Sequence, residues 1–265
     1  MAGLREVLSR RPAVVAAALA GVVVVGAGSW LAVSAGAGTP AARSSSPPVT
    51  TTPGKGGHPV PALAGVTQVA IVLANSPRYD KPNHRVPGTV LSTWEYRPSI
   101  LPVIATRPGW VRVRIPQRPN GSTSWLPADD VALNATTYRI VINVTTRQLA
   151  LYNYGKQVFT APAGIGTTTD PTPPGHYFLA FDEAPPQLKA GYGPFVMVTS
   201  AHSPNIADWE GSGDALIGIH GPLGEDAAIG TRGARISHGC IRLHEAAQRK
   251  LRAVPPGTPI DVVTS

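Results

Sequence analysis

A single cysteine in 265 residues rules out an internal disulfide. Acidic residues are also scarce, 15 against 23 lysines and arginines, which leaves a formal net charge of +8. That excess suits a polyanionic partner in general. No helix-turn-helix, zinc-finger or aromatic-basic RNA motif accompanies it, so nucleic acid is excluded as the partner. The glycines fit no Walker, EF-hand or dinucleotide pattern, and Gly164-x-Gly166 opens no helix. The paired ligand spacing of structural zinc sites is missing too, which disfavours a site built from His220, His238, His244 and Cys240. No metal and no cofactor is implied.

What is present begins with a targeting pattern. Arg5, Arg10 and Arg11 precede an uncharged apolar run from Ala13 to Val33, long enough at about 1.5 Å per residue to cross a roughly 30 Å hydrocarbon layer. Basic residues on that side place residues 1–12 in the cytoplasm, 13–33 in the membrane and the rest outside. The alternative is a signal peptide cut near Val33-Ser34-Ala35 or Ala35-Gly36-Ala37. Residues 34–65, rich in Ser, Thr, Pro and Gly, bury too little apolar surface to fold and are expected to be a tether.

Short β-rich runs follow. Val69 to Leu73, the alternating Trp110-Val111-Arg112-Val113-Arg114-Ile115, a turn at Asn120-Gly121 and Ser124 to Pro127 outline a small β-barrel over residues 66–135. Apolar alternation makes Trp110 and Trp125 core residues of it. Over 137–264, runs at Tyr138–Val144, Gln148–Tyr152, Gln157–Ala161, His176–Phe181, Phe195–Thr199 and Ala215–His220 predict a mainly antiparallel sandwich. One helix is expected, Glu245 to Ala253, closed by Pro255-Pro256. The expected fold class is therefore mainly β, a small barrel and then a sandwich, behind an N-terminal transmembrane helix.

The cysteine lies in Ser237-His238-Gly239-Cys240-Ile241-Arg242, about twenty residues after Ile219-His220-Gly221. A lone cysteine is often a small buried hydrophobe. Polar neighbours and an extracytoplasmic setting without disulfides argue instead for chemistry. An imidazole that takes the thiol proton raises the reactive fraction of a group whose ordinary pKa is about 8.5. The residues alone leave that base open between His220 and His238. Gly239 lets backbone N–H groups approach a reacting oxygen, as an oxyanion hole requires. Arg242 offers a planar fork for a substrate carboxylate or for an internal ion pair.

His220, sixteen residues, then Ser237-His238-Gly239-Cys240 resembles the signature of the L,D-transpeptidase (YkuD) family. Gly164-Ile165-Gly166 with Thr172-Pro173-Pro174-Gly175, and Ile217 to Gly221, resemble that family's glycine-rich stretch, turn and active-site strand. The resemblance covers roughly residues 137 to 264. Gly109 to Val113, a turn and Trp125-Leu126-Pro127 resemble bacterial SH3-like domains, often attached to wall enzymes.

The resemblance implies a catalytic β-sandwich acting in the cell envelope on peptidoglycan stem peptides, as donor and as acceptor. Cys240 would attack the third residue's carbonyl in a tetrapeptide stem, release D-alanine, and pass the acyl group to a neighbouring stem's amine as a three-to-three cross-link. His220 would be the general base, steered by a carbonyl near Gly221. His238, Gly239, Ser237 and Arg242 would shape the pocket, the oxyanion hole and the donor contact. Rivals are an L,D-carboxypeptidase with the same residues, and a wall-binding module whose thiol is incidental. A sortase-like enzyme is disfavoured, because its Cys and Arg lie on separate strands.

Overall fold

The computed structural model describes residues 64–184, 190–231 and 233–265. The expected anchor at 13–33 and all but the end of the tether at 34–65 lie outside these. No helix among the described residues is long and apolar enough to cross a membrane.

The first half is strand after strand: β1 (Thr67–Val72), β2 (Ser76–Lys81), β3 (His84–Val90), the two-residue β4 (Thr93–Trp94) and β5 (Arg97–Pro98), β6 (Ile100–Arg107), β7 (Trp110–Arg114), β8 (Thr123–Pro127) and β9 (Val131–Thr136). Seven of them form an antiparallel sheet ordered β3-β2-β8-β7-β6-β1-β9, while β4 and β5 pair as a separate small hairpin. Alternation works on β7, where Val111 and Val113 are buried and the residues between them are half-buried. Trp125 is buried as expected. Trp110 is only half-buried and meets the Tyr79 ring edge-on at 4.9 Å, because the apolar face of β7 is already filled by its valines.

The second half contributes β10 (Tyr138–Asn143), β11 (Gln148–Asn153), β12 (Lys156–Pro162), β13 (Ile165–Gly166), β14 (Gly175–Glu183), β15 (Val196–His202), β16 (Leu216–His220), β17 (Arg235–Ser237), β18 (Ile241–Arg242), the helix α1 (Glu245–Arg249) and β19 (Pro259–Val263). Eight strands order as β12-β11-β10-β19-β14-β15-β16-β18. The sandwich was expected to be mainly antiparallel. Three pairings are parallel: β10 with β19, β16 with β18, and β13 with β17. Each joins segments separated by a long connection, which a hairpin-by-hairpin reading does not anticipate. The helix is shorter than predicted, but Leu251 and Val254 beyond it are buried in the core, with Ala247 packed against them.

Strand β14 joins the two halves. Tyr177 and Leu179 face the second core, whereas Phe178 and Ala180 face the first, as period-two alternation requires of a strand covered on both sides. A bulge between Leu179 and Phe181 shifts the register and turns Phe181 to the first core as well. The first sheet is therefore not a bead on a string. Polar contacts reinforce the seam: Arg118 donates to Asp214 at 2.8 Å and to the Ser203 carbonyl at 2.9 Å, and Asn120 exchanges hydrogen bonds with the His202 backbone at 2.8 and 2.9 Å.

Phe178→Ala empties a site that is 1% exposed and shared by both halves. It should destabilise the protein by about 3–5 kcal/mol. Urea unfolding followed by tryptophan fluorescence and far-UV circular dichroism should show one transition shifted in both signals; a shift in only one would contradict the shared core.

Candidate active site

The parallel pairing of β16 and β18 sets the geometry. Ile219 faces Ile241 and His220 faces Arg242, so the residue before β18, Cys240, comes level with Gly218. The Gly218 N–H donates to the Cys240 sulfur at 3.3 Å. His220 is two residues further along β16, on the same face and roughly 6.6 Å on. His220, His238, Cys240 and Arg242 all line one cavity of about 380 Å³.

His220 is 2% exposed. Its Nδ1 lies 2.8 Å from the Gly221 carbonyl oxygen, which can only accept, so Nδ1 carries the proton and Nε2 keeps its lone pair. Burial lowers the pKa of this ring to about 4, and the positive charge of Arg242 pushes the same way, while the bond to Gly221 opposes both. The ring is neutral near pH 7. Gly221 is glycine because a Cβ there would stand within 3 Å of the backbone at Gly191, Tyr192 and Gly193. The segment 191–193 can therefore close over the histidine, and the Tyr192 ring packs 4.6 Å from the imidazole.

Cys240 is partly exposed as a residue. Burial of its sulfur nevertheless raises the thiol pKa, and the Gly218 N–H and the Arg242 charge only partly offset that. At rest the two groups are thus a neutral thiol and a neutral imidazole, the forms in which the ring can accept the thiol proton. At five residues, α1 is also too short to supply a helix-dipole field of any size.

Hydrogen bonds fix the turn before the sulfur. Ser237 is buried, donates to the Cys240 carbonyl at 2.5 Å and accepts from the Gly239 N–H at 3.2 Å. Gly239 has φ +122°, where a side chain is strained, and a Cβ would meet Ile217 Cδ1 at 2.5 Å. The Gly239 amide, expected in the oxyanion hole, is thus occupied by Ser237. The Cys240 amide is the remaining donor of that expected pair.

Thr172 was read as part of a motif and not as a site residue. It is buried, and its hydroxyl donates to the Gly239 carbonyl at 2.7 Å while accepting from the Gly166 N–H at 2.9 Å. One side chain thereby ties the glycine-rich stretch to the cysteine turn.

The other predicted residues divide. His238 is exposed at the cavity rim, 5.1 Å from the Trp209 ring. Arg242 exchanges backbone hydrogen bonds with Gly164 at 2.8 Å in both directions, and its buried Nε has no partner. Among the described residues no carboxylate is within ion-pair distance of it. His244 pairs with Asp226 at 2.8 Å and does not line the cavity. No group of three or more metal-ligating side chains occurs among the described residues. Trp209, Tyr192 and, from the first half, Glu95 and Arg97 also line the cavity. Sequence reading missed these because Glu95, Tyr192 and Trp209 come from turns or loops and Arg97 from a two-residue strand, none with a periodic or motif signal.

Residues 137–262 match the family model described as YkuD, L,D-transpeptidase catalytic domain. A relative is the YkuD protein of Bacillus licheniformis, named as an L,D-transpeptidase, 29% identical over 126 residues. That match covers 47% of this chain and 65% of the relative, so the chain spans just under two thirds of that protein. Among solved structures, Bd1075 of Bdellovibrio bacteriovorus aligns at TM-score 0.37 and 25% identity, covering 48% of this chain and 47% of that one. The catalytic domain of an E. faecium L,D-transpeptidase aligns at TM-score 0.35 and 22% identity, covering 47% of this chain and 95% of that one. At TM-scores under 0.5, these structural likenesses add nothing to the family match.

Thr172→Val keeps the volume but leaves the Gly166 N–H and the Gly239 carbonyl unpaired. Chemical denaturation should show a loss of about 1–3 kcal/mol, largely restored in Thr172→Ser. Equal stability of the valine variant and the wild type would mean that the hydroxyl does not hold the turn.

Proposed function

We propose that this chain, whose residues 137–262 form a YkuD-type L,D-transpeptidase catalytic domain, is a cysteine-dependent acyltransferase of peptidoglycan stem peptides. The observation that carries the reading is the sulfur of Cys240, set in a 380 Å³ cavity with a neutral, tautomer-fixed His220. A donor tetrapeptide binds with the carbonyl of its third residue at the sulfur. The thiol proton moves to His220 Nε2 as the C–S bond forms, and the resulting imidazolium then protonates the departing amine of D-alanine. A thioester remains. An amine of a neighbouring stem attacks it, gives its proton to Nε2, and leaves a three-to-three cross-link with the thiol restored.

The supporting roles follow the geometry. Arg242 pairs with the donor's terminal carboxylate through its free guanidinium edge. The Cys240 amide donates to the developing oxyanion, while Ser237 and Thr172 keep the turn in the conformation that aims it. His238 and Trp209 border the entrance. Burial makes proton transfer the step that needs help, because neither partner is charged at rest. The first half is proposed as an SH3-like module and residues 13–33 as an anchor holding the enzyme outside the plasma membrane.

Cys240→Ala should form no acyl-enzyme by intact mass, and His220→Gln should acylate roughly 10²- to 10⁴-fold more slowly. Products with and without an acceptor stem separate cross-linking from hydrolysis. With His220 protonating only near pH 4, the wild-type acylation rate should hold as pH falls from 8 towards 5 and drop as it approaches about 4. A loss centred near the ordinary histidine value of about 6.5 would count against His220 as the base.

A further inference from the structure

The cavity is not built by the catalytic half alone. It lies over β14, β15, β16 and β18, three strand spacings or roughly 14 Å across. Cys240 and Arg242 stand at the β18 side. At the β14 side the wall is the β4–β5 hairpin of the first half, through Glu95 and Arg97.

That hairpin is fastened down. Arg97 donates to Glu183 at 2.7 Å and lies 4.4 Å above the Phe181 ring, and Trp94 meets the same ring edge-on at 5.7 Å. A second nitrogen of Arg97 donates to the Glu95 carbonyl at 3.0 Å, closing the turn. Both central residues of the turn have positive φ, Glu95 at 48° and Tyr96 at 63°. Such two-residue turns ordinarily take Asn-Gly. Here a carboxylate and an aromatic ring occupy the strained positions. Arg97 neutralises Glu183, whereas the Glu95 carboxylate has no partner among the described residues. The cavity is therefore bipolar, with a guanidinium beside the sulfur and a free carboxylate at the opposite wall.

Resting on the acyl-transfer reading above, we propose that Glu95 is a specificity-determining residue. It reads the charge on the end of the donor peptide remote from the reacting carbonyl, favouring a cationic or neutral end over an anionic one. The lengths match: the donor's four extended residues cover roughly 13 Å, about the width of the cavity from the Arg242 side, where the terminal carboxylate lies, to the hairpin, with three of them, roughly 10 Å, on the hairpin side of the reacting carbonyl.

The test uses the full chain and three tetrapeptide donors differing only at the N-terminus, as free amine, acetylated or succinylated. The wild type should acylate with the amine donor about threefold to tenfold more efficiently than with the succinyl donor, the acetyl donor falling between. Glu95→Gln should bring that ratio close to one, and Glu95→Lys should invert it. A carbapenem adduct on Cys240, read by intact mass in every variant, reports that the acylating machinery is sound. Donor ratios unchanged in both variants with the adduct intact would overturn the role of Glu95 alone. Absence of any adduct or acyl-enzyme on the wild type would overturn the acyl-transfer reading, and the Glu95 proposal with it.

Discussion

The register of one short parallel pairing governs this site. Because β18 lies beside β16 with Ile241 opposite Ile219, the sulfur of Cys240 meets the Gly218 N–H and stands near the imidazole two residues along. A slip by one residue would turn Cys240 to the other face. Register is held at both ends of β18. On the N-terminal side Ser237 and Thr172 pin the turn, and on the other edge the paired backbone bonds of Gly164 and Arg242 clamp β18 to the glycine-rich stretch.

The same economy of parts joins the two halves of the chain. Between Tyr177 and Phe181 strand β14 has no solvent face: its alternate side chains enter two cores, and its bulge delivers Phe181 to the seam where Arg97 and Trp94 grip it. The first sheet thus shapes the cavity as well as stabilising the fold. Removing it would expose Phe178, Ala180 and Phe181 to water and open the β14 side of the cavity.

Much of this was legible in the residues. Period-two runs found nearly every long strand of the second sheet, and the spacing from His220 to Cys240 singled out two side chains that the fold brings to one cavity. A carbonyl near Gly221 was expected to steer His220, and the Gly221 carbonyl does so. What escaped were long-range matters. Parallel pairings depend on which distant segments meet, and the engagement of the Gly239 amide by Ser237 depends on a turn conformation that the sequence does not display. The protonation state was not legible, because burial, which decides it, is a property of the assembled cavity. Glu95 and Arg97 could not be linked to Cys240 by any pattern, since only the joining of two cores at β14 brings them to one cavity.

Electrostatically the site is built on restraint. One cation, Arg242, lowers the pKa of both His220 and Cys240, disfavouring imidazolium and favouring thiolate, while burial raises the thiol and depresses the imidazole. The balance leaves both uncharged at rest. That resting state is the central claim, and nitrogen-15 NMR of histidine-labelled protein at pH 7, with the His220 signals assigned by His220→Gln, tests it most directly. A protonated Nδ1 and a bare Nε2, with no thiolate absorbance from the sole cysteine, is the result expected; an imidazolium with both nitrogens protonated beside a thiolate would contradict it.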